Sequence, residues 1–272
     1  MRALIALSLV ATAAAAQPTE GKEKLPLWEA GVFGIVGSQQ AYPGSKQQVH
    51  SGIALPFLIY RGDWLRAEQG GVGIRALHSA TTEIDIGFAG SFGSAPRDND
   101  ARRGMPRIGM LGEFGPRVKW DLGPGPGGGR WRAALPLRAV LDVTHGFDYR
   151  GIAFEPDIGW GARSAGGWGY GVNLGLMVGT QRLADTFYGV APEFVTPTRP
   201  LYEAKAGLIA TRLTFNLGTS LSPDWRFFAF TRFDTVKGAA NRKSPLVDKP
   251  TGASVGVGLA WTGWRSDNLG TP

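Results

Sequence analysis

The chain lacks cysteine entirely, although it is 272 residues long. This absence excludes disulfide bonds, thiolate metal ligands and an acylated N-terminal cysteine. Histidine is also scarce, with three residues, so few side chains could activate a serine nucleophile. An exported protein of this size without disulfides must be stabilised by its own buried core or by a membrane.

Beyond the first residues, the chain also lacks an apolar run of the ~18 residues that indicate a membrane-spanning helix. The opening stretch MRALIALSLVATAAAAQ combines Arg2, an apolar run and small residues before Gln17. This pattern predicts a secretory signal peptide over residues 1–16. The alternative is an anchor helix, but the run is shorter than the ~20 residues a span needs. We expect the exported chain to continue with a periplasmic arm over residues 17–26.

Glycine, tryptophan and positive charge are abundant: the chain has 41 glycines, nine tryptophans and a formal net charge of +7. Much glycine together with aromatic residues favours short strands and tight turns over helices. In an exported protein, excess positive charge points to anionic lipid headgroups or glycans rather than to nucleic acid.

The stretch Met110–Leu122, MLGEFGPRVKWDL, alternates strictly between apolar and charged positions. Its odd positions carry Glu113, Arg117, Lys119 and Asp121, so all four charges lie on one side of an extended strand. The same two-residue period recurs along the chain and predicts about twelve strands. Trp225–Val236 is apolar on both sides in places, so the pattern does not show which side of this strand faces the interior.

Strand lengths and connections favour a membrane barrel. Many predicted strands are near the ~9–11 residues that cross a tilted bilayer, and tryptophans lie near their ends. Long and short connections largely alternate. Because a spanning sheet must pair all its backbone groups, we predict a transmembrane up-and-down antiparallel β-barrel over residues 27–264, with a C-terminal tail over 265–272. The alternative is a soluble β-sandwich or lipocalin-like barrel, in which the apolar side faces inward.

In the membrane barrel, the charged side of each strand faces the interior. There, side chains of both signs would pair and lock the barrel, leaving the interior largely blocked. A narrow pore is the alternative. The predicted interior network comprises Glu113, Arg117, Lys119, Asp121, Arg132, Arg138, Asp142, Glu155 and Asp157.

Four prolines fall within predicted strands: Pro56, Pro116, Pro136 and Pro156. Each removes one backbone donor from the ladder, and a closed barrel has no free edge to accommodate it. We therefore expect β-bulges at these positions or strands that stop short of them.

One connection is rich in arginine: Arg97, Arg102, Arg103 and Arg107 lie close together in sequence. Guanidinium groups suit phosphate, so this loop is a candidate anion site for lipopolysaccharide, with a solvated loop of internal ion pairs as the alternative. Asp98 and Asp100 offer oxygens to Ca²⁺, but the neighbouring arginines oppose a cation. We expect no metal site and no cofactor.

Several stretches together resemble a known family. They are YPGS at Tyr42–Ser45, LPFLIYRGDWLRAE at Leu55–Glu68, NDARRGMP at Asn99–Pro106, EFGP at Glu113–Pro116, LPLRAV at Leu135–Val140, FYGV at Phe187–Val190 and SPLV at Ser244–Val247. In order and spacing they are similar to the MipA/OmpV family of Gram-negative outer-membrane proteins. The resemblance implies an outer-membrane β-barrel that acts as a scaffold between a lytic transglycosylase and a penicillin-binding protein.

The family carries no established catalytic residues, so the resemblance assigns none. We expect a structural or scaffold role in the outer membrane, in contact with its lipid and lipopolysaccharide. A narrow channel for small solutes is the first alternative. A lipid hydrolase is less favoured, because Ser51 and Ser79 each adjoin a histidine in sequence and would point to the opposite face from it.

Overall fold

The computed structural model describes residues 26–61, 65–68, 71–74, 77–78, 81–91 and 100–269. The predicted signal peptide, nearly all of the predicted arm and Arg97 lie outside these residues. Within the described ranges, no helix has the length and apolarity needed to span a membrane.

Within the described residues, one antiparallel sheet of fourteen strand segments makes up most of the fold. They are β1 (Trp28–Gln40), β2 (Gln48–Arg61), β3 (Leu65–Glu68), β4 (Gly71–Ile74), β5 (Leu77–His78), β6 (Thr82–Ser91), β7 (Leu111–Pro124), β8 (Arg130–Asp142), β9 (Asp148–Phe154), β10 (Asp157–Arg163), β11 (Gly169–Gly179), β12 (Gly207–Ser220), β13 (Trp225–Thr235) and β14 (Thr251–Arg265). One α-helix, α1 (Gln181–Tyr188), and short 3₁₀ turns at Asp100–Arg102, Pro126–Gly128, Val143–His145 and Pro192–Phe194 lie between them. The predicted all-β, antiparallel class is confirmed.

The first and last strands of the described chain lie side by side in the sheet, because β1 pairs with β14 as well as with β2. Its order is β4-β3-β2-β1-β14-β13-β12-β11-β10-β8-β7-β6-β5, so sequence neighbours are almost always spatial neighbours. The segments at the two ends of this path, β4 and β5, are separated in sequence only by residues 75–76. In addition, β4 lies beside β6, with Cα atoms within 8 Å.

The last described residues pair with the start of the sheet. Arg265, which we assigned to the tail, is the final residue of β14. Beyond it, the Leu27 amide donates to the Asn268 carbonyl at 2.7 Å, and Pro26 and Leu269 form an isolated β-bridge. This part of the predicted tail therefore lies alongside the beginning of the chain.

The prolines within the sheet interrupt its ladder of backbone hydrogen bonds without producing β-bulges. Pro156 lies between β9 and β10, which both pair with β8 and β11 and so continue one another across the break. Pro56 sits opposite Val32 in an unshifted register, and the register is the same on both sides of Pro116 and Pro136. The sheet tolerates them because a proline carbonyl still accepts: Pro136 accepts from the Glu155 amide at 3.1 Å. The predicted bulges at the prolines are wrong; the register shifts occur elsewhere, for example between Asp121 and Gly123.

The two faces of the sheet differ as the alternation predicts. On β7, Phe114 is 43% exposed and Arg117 is 8% exposed. On β14, Val255 and Val257 are exposed while Ser254 is buried. We call the face that carries the charged side chains the inner face and the opposite, apolar face the outer face. The alternative in which apolar side chains such as Phe114 are packed inside and Arg117 lies outside is wrong.

Glycines on the inner face of β14 make room for phenyl rings from β13. A Cβ built on Gly258 would lie 2.2 Å from Phe228 Cζ and 2.5 Å from the Gly34 carbonyl oxygen. We expect Gly258→Ala to lower the free energy of unfolding by about 1–3 kcal/mol, because it overpacks a closed site. Gly34→Ala is the matched control, since its Cβ would meet no atom nearer than 3.9 Å. Urea unfolding of both variants checks this, and equal stabilities would contradict it.

The main buried cluster lies at one end of the sheet, where long connections pack together. We call the described connections 41–47, 100–110, 180–206 and 236–250 the loop cap. Their apolar side chains form one cluster together with the nearby strand ends: Ala41, Tyr42, Met105, Ile108, Leu111, Val140, Ala153, Met177, Leu183, Ala184, Phe187, Tyr188, Val190, Ala204, Ile209, Ala210, Val236, Ala239 and Leu246. Because these connections share a core, they form one packed layer rather than separate loops.

Candidate functional site: ion pairs on the inner face and the loop cap

A continuous chain of ion pairs crosses the inner face beneath the loop cap. Its members, which we call the central network, are Glu113, Arg138, Glu155, Arg212, Arg232 and Asp234. Arg138 contacts Glu113 at 3.4 Å and Glu155 at 2.7 Å. Arg212 contacts Glu155 and, at 3.0 Å, Asp234. Three guanidinium groups and three carboxylates therefore cancel in formal charge.

A second cluster joins β6 and β7. Arg117 donates through two nitrogens to Asp85, at 2.9 and 2.7 Å, and Lys119 contacts Asp85 at 2.7 Å and Glu83 at 3.0 Å. The strand register places Asp85 opposite Arg117 and Glu83 opposite Lys119, which brings opposite charges directly across the ladder. The sequence correctly predicts Arg117 and Lys119 on this face.

Other predicted members form local contacts. Asp121 pairs with Arg130 at 2.8 Å, and Asp157 accepts from the Asn173 amide at 3.2 Å. Arg132 has no ion-pair partner within the part of the chain that the structure describes. The predicted network is thus divided into separate groups rather than forming one continuous set.

Asp142 does not join these groups. It lies at the end of β8, where its carboxylate accepts from the amides of Thr144 and His145 at 3.1 and 3.2 Å and from Arg150 at 2.9 Å. His145 Nδ1 contacts the same carboxylate at 2.9 Å. Asp142 therefore stabilises the turn after β8, and the sequence-based assignment of this residue to the interior network is wrong. An Asp directly before a turn commonly caps it by accepting from the amides that follow. This local signal could have indicated the role of Asp142.

Part of the inner face is apolar, which the alternation did not predict. The side chains on β1, β2, β13 and β14 form a second buried cluster with its partly buried neighbours: Phe33, Ile35, Ile53, Leu55, Phe57, Phe228, Phe230 and Ala260. The expectation of an ionic interior is therefore correct only for part of the inner face. The reason is visible in sequence: β1 and β13 carry apolar residues on both faces, so a two-residue period cannot orient them.

Two arginines of the loop cap point inward. Arg102 is buried, lies 5.8 Å from the centre of the Tyr42 ring and donates to the Phe187 carbonyl at 3.2 Å. Arg199 is also buried and donates to the carbonyls of Phe194, Ala101 and Arg103 at 2.9–3.0 Å. Burial lowers the pKa of Arg102 from its ordinary value. These guanidinium groups bind backbone carbonyls and so join separate connections of the loop cap to one another.

The predicted anion loop does not present its arginines together. Arg103 and Arg107 are exposed, and Arg103 contacts Asp100 at 2.6 Å, whereas Arg102 faces the interior of the loop cap. Arg97 lies outside the described residues. Anion binding by the exposed members stays a prediction, but Arg102 is not available to it. Among the residues that the structure describes, no group of three or more His, Asp or Glu side chains is placed to hold a metal ion.

Replacing Arg199 tests the stability of the loop cap. We expect Arg199→Leu to destabilise the loop cap locally by about 1–3 kcal/mol, because buried carbonyls lose their donor. Amide hydrogen exchange in residues 100–110 and 190–200 should accelerate, while exchange in β11 and β12 stays unchanged. Arg103→Leu is the control, because that side chain is 77% exposed. Unchanged exchange in Arg199→Leu would show that these bonds are dispensable.

A cavity of about 180 Å³ lies between the central network and the loop cap. The central network and Gln40 supply its polar wall, while Tyr42, Leu183 and Phe187 belong to its apolar roof. Because Gln40 on β1, Gly90 on β6 and Arg232 on β13 all line it, the sheet curves around this space. The sequence gives no direct signal for this cavity, since its lining residues come from distant parts of the chain.

The family described as "MltA-interacting protein MipA" matches residues 32–263, which is most of the chain. The chain belongs to the MipA family. The resemblance noted from the sequence is thus confirmed, and the match includes every strand that carries the central network. No curated protein matches the chain in sequence.

Among solved structures, the MipA-family chain is similar to a porin, an outer membrane channel and a FadL homologue, among others. The NanC porin has a TM-score of 0.38 and 11% identity, covering 86% of this chain and 98% of its own. An outer membrane channel from Pseudomonas putida F1 has a TM-score of 0.39 and 8% identity, covering 90% and 100%. A Pseudomonas aeruginosa FadL homologue has a TM-score of 0.33 and 8% identity, covering 79% and 61%.

Proposed function

We propose that this protein is a closed β-barrel of the Gram-negative outer membrane, with a blocked lumen, that serves as a membrane-fixed scaffold. Closure is supported by the two ends of the sheet, because β4 and β5 would form one continuous strand if pairing extended through residues 75–76. With β9 and β10 also counted as one interrupted strand, the barrel would have the twelve strands expected from the sequence.

The outer face supports a membrane location. Large apolar side chains are exposed on several strands, including Val32 on β1, Leu174 on β11, Phe215 on β12 and Val257 on β14. A soluble monomer rarely exposes apolar area that extends from strand to strand, whereas a lipid-facing surface requires it. Trp28, Trp131 and Trp225 are partly exposed at the starts of their strands, where a ring can lie between hydrocarbon and water.

The observation that carries the proposal of a blocked lumen is the central network beneath the loop cap. Charged pairs tie β7, β8, β12 and β13 together across the inner face, and a packed apolar layer lies above them. In the proposed closed barrel, these two layers would oppose the passage of ions. A rigid, closed barrel needs no catalytic group to position a partner protein.

The proposed partners are murein enzymes. The family name describes a protein that interacts with MltA, and the resemblance implies a lytic transglycosylase and a penicillin-binding protein. We place the contact on the end of the barrel opposite the loop cap. There the chain offers the turn at 123–129 and the residues that follow β14, together with the predicted arm over 17–26.

Planar-bilayer recording tests the blocked lumen. We expect the purified full-length protein to show no stable unitary conductance at 1 M salt (about 3 Å Debye length), where a porin inserted under the same conditions gives clear steps. Co-purification from envelope extracts tests the scaffold role, with murein hydrolases and synthases expected to be enriched. Stable unitary openings without that enrichment would favour the alternative of a narrow solute channel.

A further inference from the structure

The cavity between the central network and the loop cap has the features of a binding site. Its volume of about 180 Å³ is similar to that of an engineered apolar cavity of about 150 Å³ that binds benzene. Its polar wall is charged, while Leu183, Phe187 and Met177 line other parts of it. An occupant therefore meets ionic groups at one end and hydrocarbon at the other.

The charge of the lining restricts the occupant to a species of zero net charge. The cavity is lined by three arginines and three carboxylates, all belonging to the central network. An added monovalent ion would be buried away from bulk water without a counter-charge, which is strongly unfavourable. A neutral polar molecule or a zwitterion adds no net charge to the cavity.

Two lining residues have polar atoms that remain unsatisfied. Arg138 Nε and Gln40 Oε1 are buried without a hydrogen-bond partner among the described residues. Glu113 contacts Arg138 at 3.4 Å, longer than the other contacts of the central network. Arg138 and Glu113 both line the cavity, and their guanidinium and carboxylate groups match an anionic and a cationic group on one ligand.

We propose that this cavity binds a small zwitterion of the α-amino acid class with an apolar side chain. The ligand carboxylate accepts from Arg138, its ammonium group donates to Glu113, and its side chain lies against Leu183 and Phe187. The site would make the barrel a receptor for such a molecule as well as a structural element, independently of whether it contacts murein enzymes.

A series of leucine analogues tests this on the unmodified full-length protein in detergent micelles. Calorimetry and saturation-transfer NMR should detect leucine binding at one site per chain. 4-Methylpentanoate, which lacks the ammonium group, and isoamylamine, which lacks the carboxylate, should bind at least about tenfold more weakly, because each leaves one buried charge unmatched. Failure of leucine to bind, or equal binding of all three compounds, would overturn the proposal.

Glu113→Gln gives an independent test through a change of specificity. With this carboxylate neutralised, the lining carries one excess positive charge, so 4-methylpentanoate should now bind more tightly than leucine. Glu193→Gln is the matched control: Glu193 is exposed on the 3₁₀ turn at Pro192–Phe194 and does not line the cavity. A folded Glu113→Gln variant that keeps the wild-type preference would refute the assigned contact. If that variant does not fold, the analogue series decides alone.

Discussion

Replacing Arg212 with methionine is expected to lower the free energy of unfolding by about 3–5 kcal/mol, because it leaves the buried central network with one carboxylate charge that no guanidinium balances. Arg212 lies at the centre of the central network, between Glu155 and Asp234, and its Nη2 also lies 3.0 Å from the Met177 sulfur. The side chain of Asp234 is only 3% exposed, so bulk water compensates little for the lost guanidinium. Urea unfolding of the protein folded in lipid vesicles measures the effect.

Arg265→Met is the matched control for this experiment. Arg265 also forms an ion pair, with Asp224 at 2.6 Å, but both side chains are at least 40% exposed. An exposed pair contributes about 0–1 kcal/mol, so this variant should be nearly as stable as the unmodified protein. Arg212→Lys separates charge from geometry, since lysine keeps the charge but lacks the planar fork that serves two carboxylates. Similar losses in Arg212→Met and Arg265→Met would show that burial of the network contributes nothing.

Placing an arginine in the middle of the outer face should distinguish a membrane protein from a soluble one. Leu174 is at the midpoint of β11, is 51% exposed and lies between Ile158 and Leu213 of the neighbouring strands. If this position faces the bilayer centre, Leu174→Arg should destabilise the protein in lipid vesicles by about 2–4 kcal/mol. If it faced water, the change would be within about 0.5 kcal/mol, as for most surface substitutions.

Leu221→Arg supplies the matched control for the lipid-facing variant. Leu221 is 58% exposed and follows the end of β12 in the turn before β13, away from the middle of the sheet. Arginine near the interface costs about 0–1 kcal/mol, so the two identical substitutions should differ clearly in vesicles. Equal unfolding free energies for the two variants would reject the assignment of the outer face to lipid.

The inner face has an apolar part as well as an ionic part. Phe228 and Phe230 lie on the same face of β13 as Arg232 and Asp234, so one strand passes from a hydrophobic to an ionic environment along its length. This arrangement provides a packed core for the sheet itself, in addition to the core of the loop cap. Stability therefore comes from apolar packing as well as from ion pairs, whose net contribution is limited by the cost of desolvation.

The alternation of residues alone determined the strand class and the facing of most strands. Where apolar and charged positions alternate strictly, as from Glu113 to Asp121, the pleat leaves only one way to separate them, so Phe114 and Arg117 could be assigned correctly to opposite faces. The charge on one side of β7 and β8 likewise indicated the inner ion pairs. These are local properties, which depend only on the period of a strand.

Only the tertiary structure decided which charges pair. Arg212 meets Glu155 and Asp234 because curvature and register bring β12, β13 and the break between β9 and β10 together, and no local period encodes that meeting. Asp142 was misassigned because its turn competes locally for the carboxylate. Arg102, which the sequence places in a candidate anion-binding loop, lies inside the packed loops instead, where it and Arg199 donate to the carbonyls of neighbouring loops. The face on which a strand residue lies follows from the local geometry of the strand. The ion-pair partner of that residue depends on contacts between residues far apart in the chain.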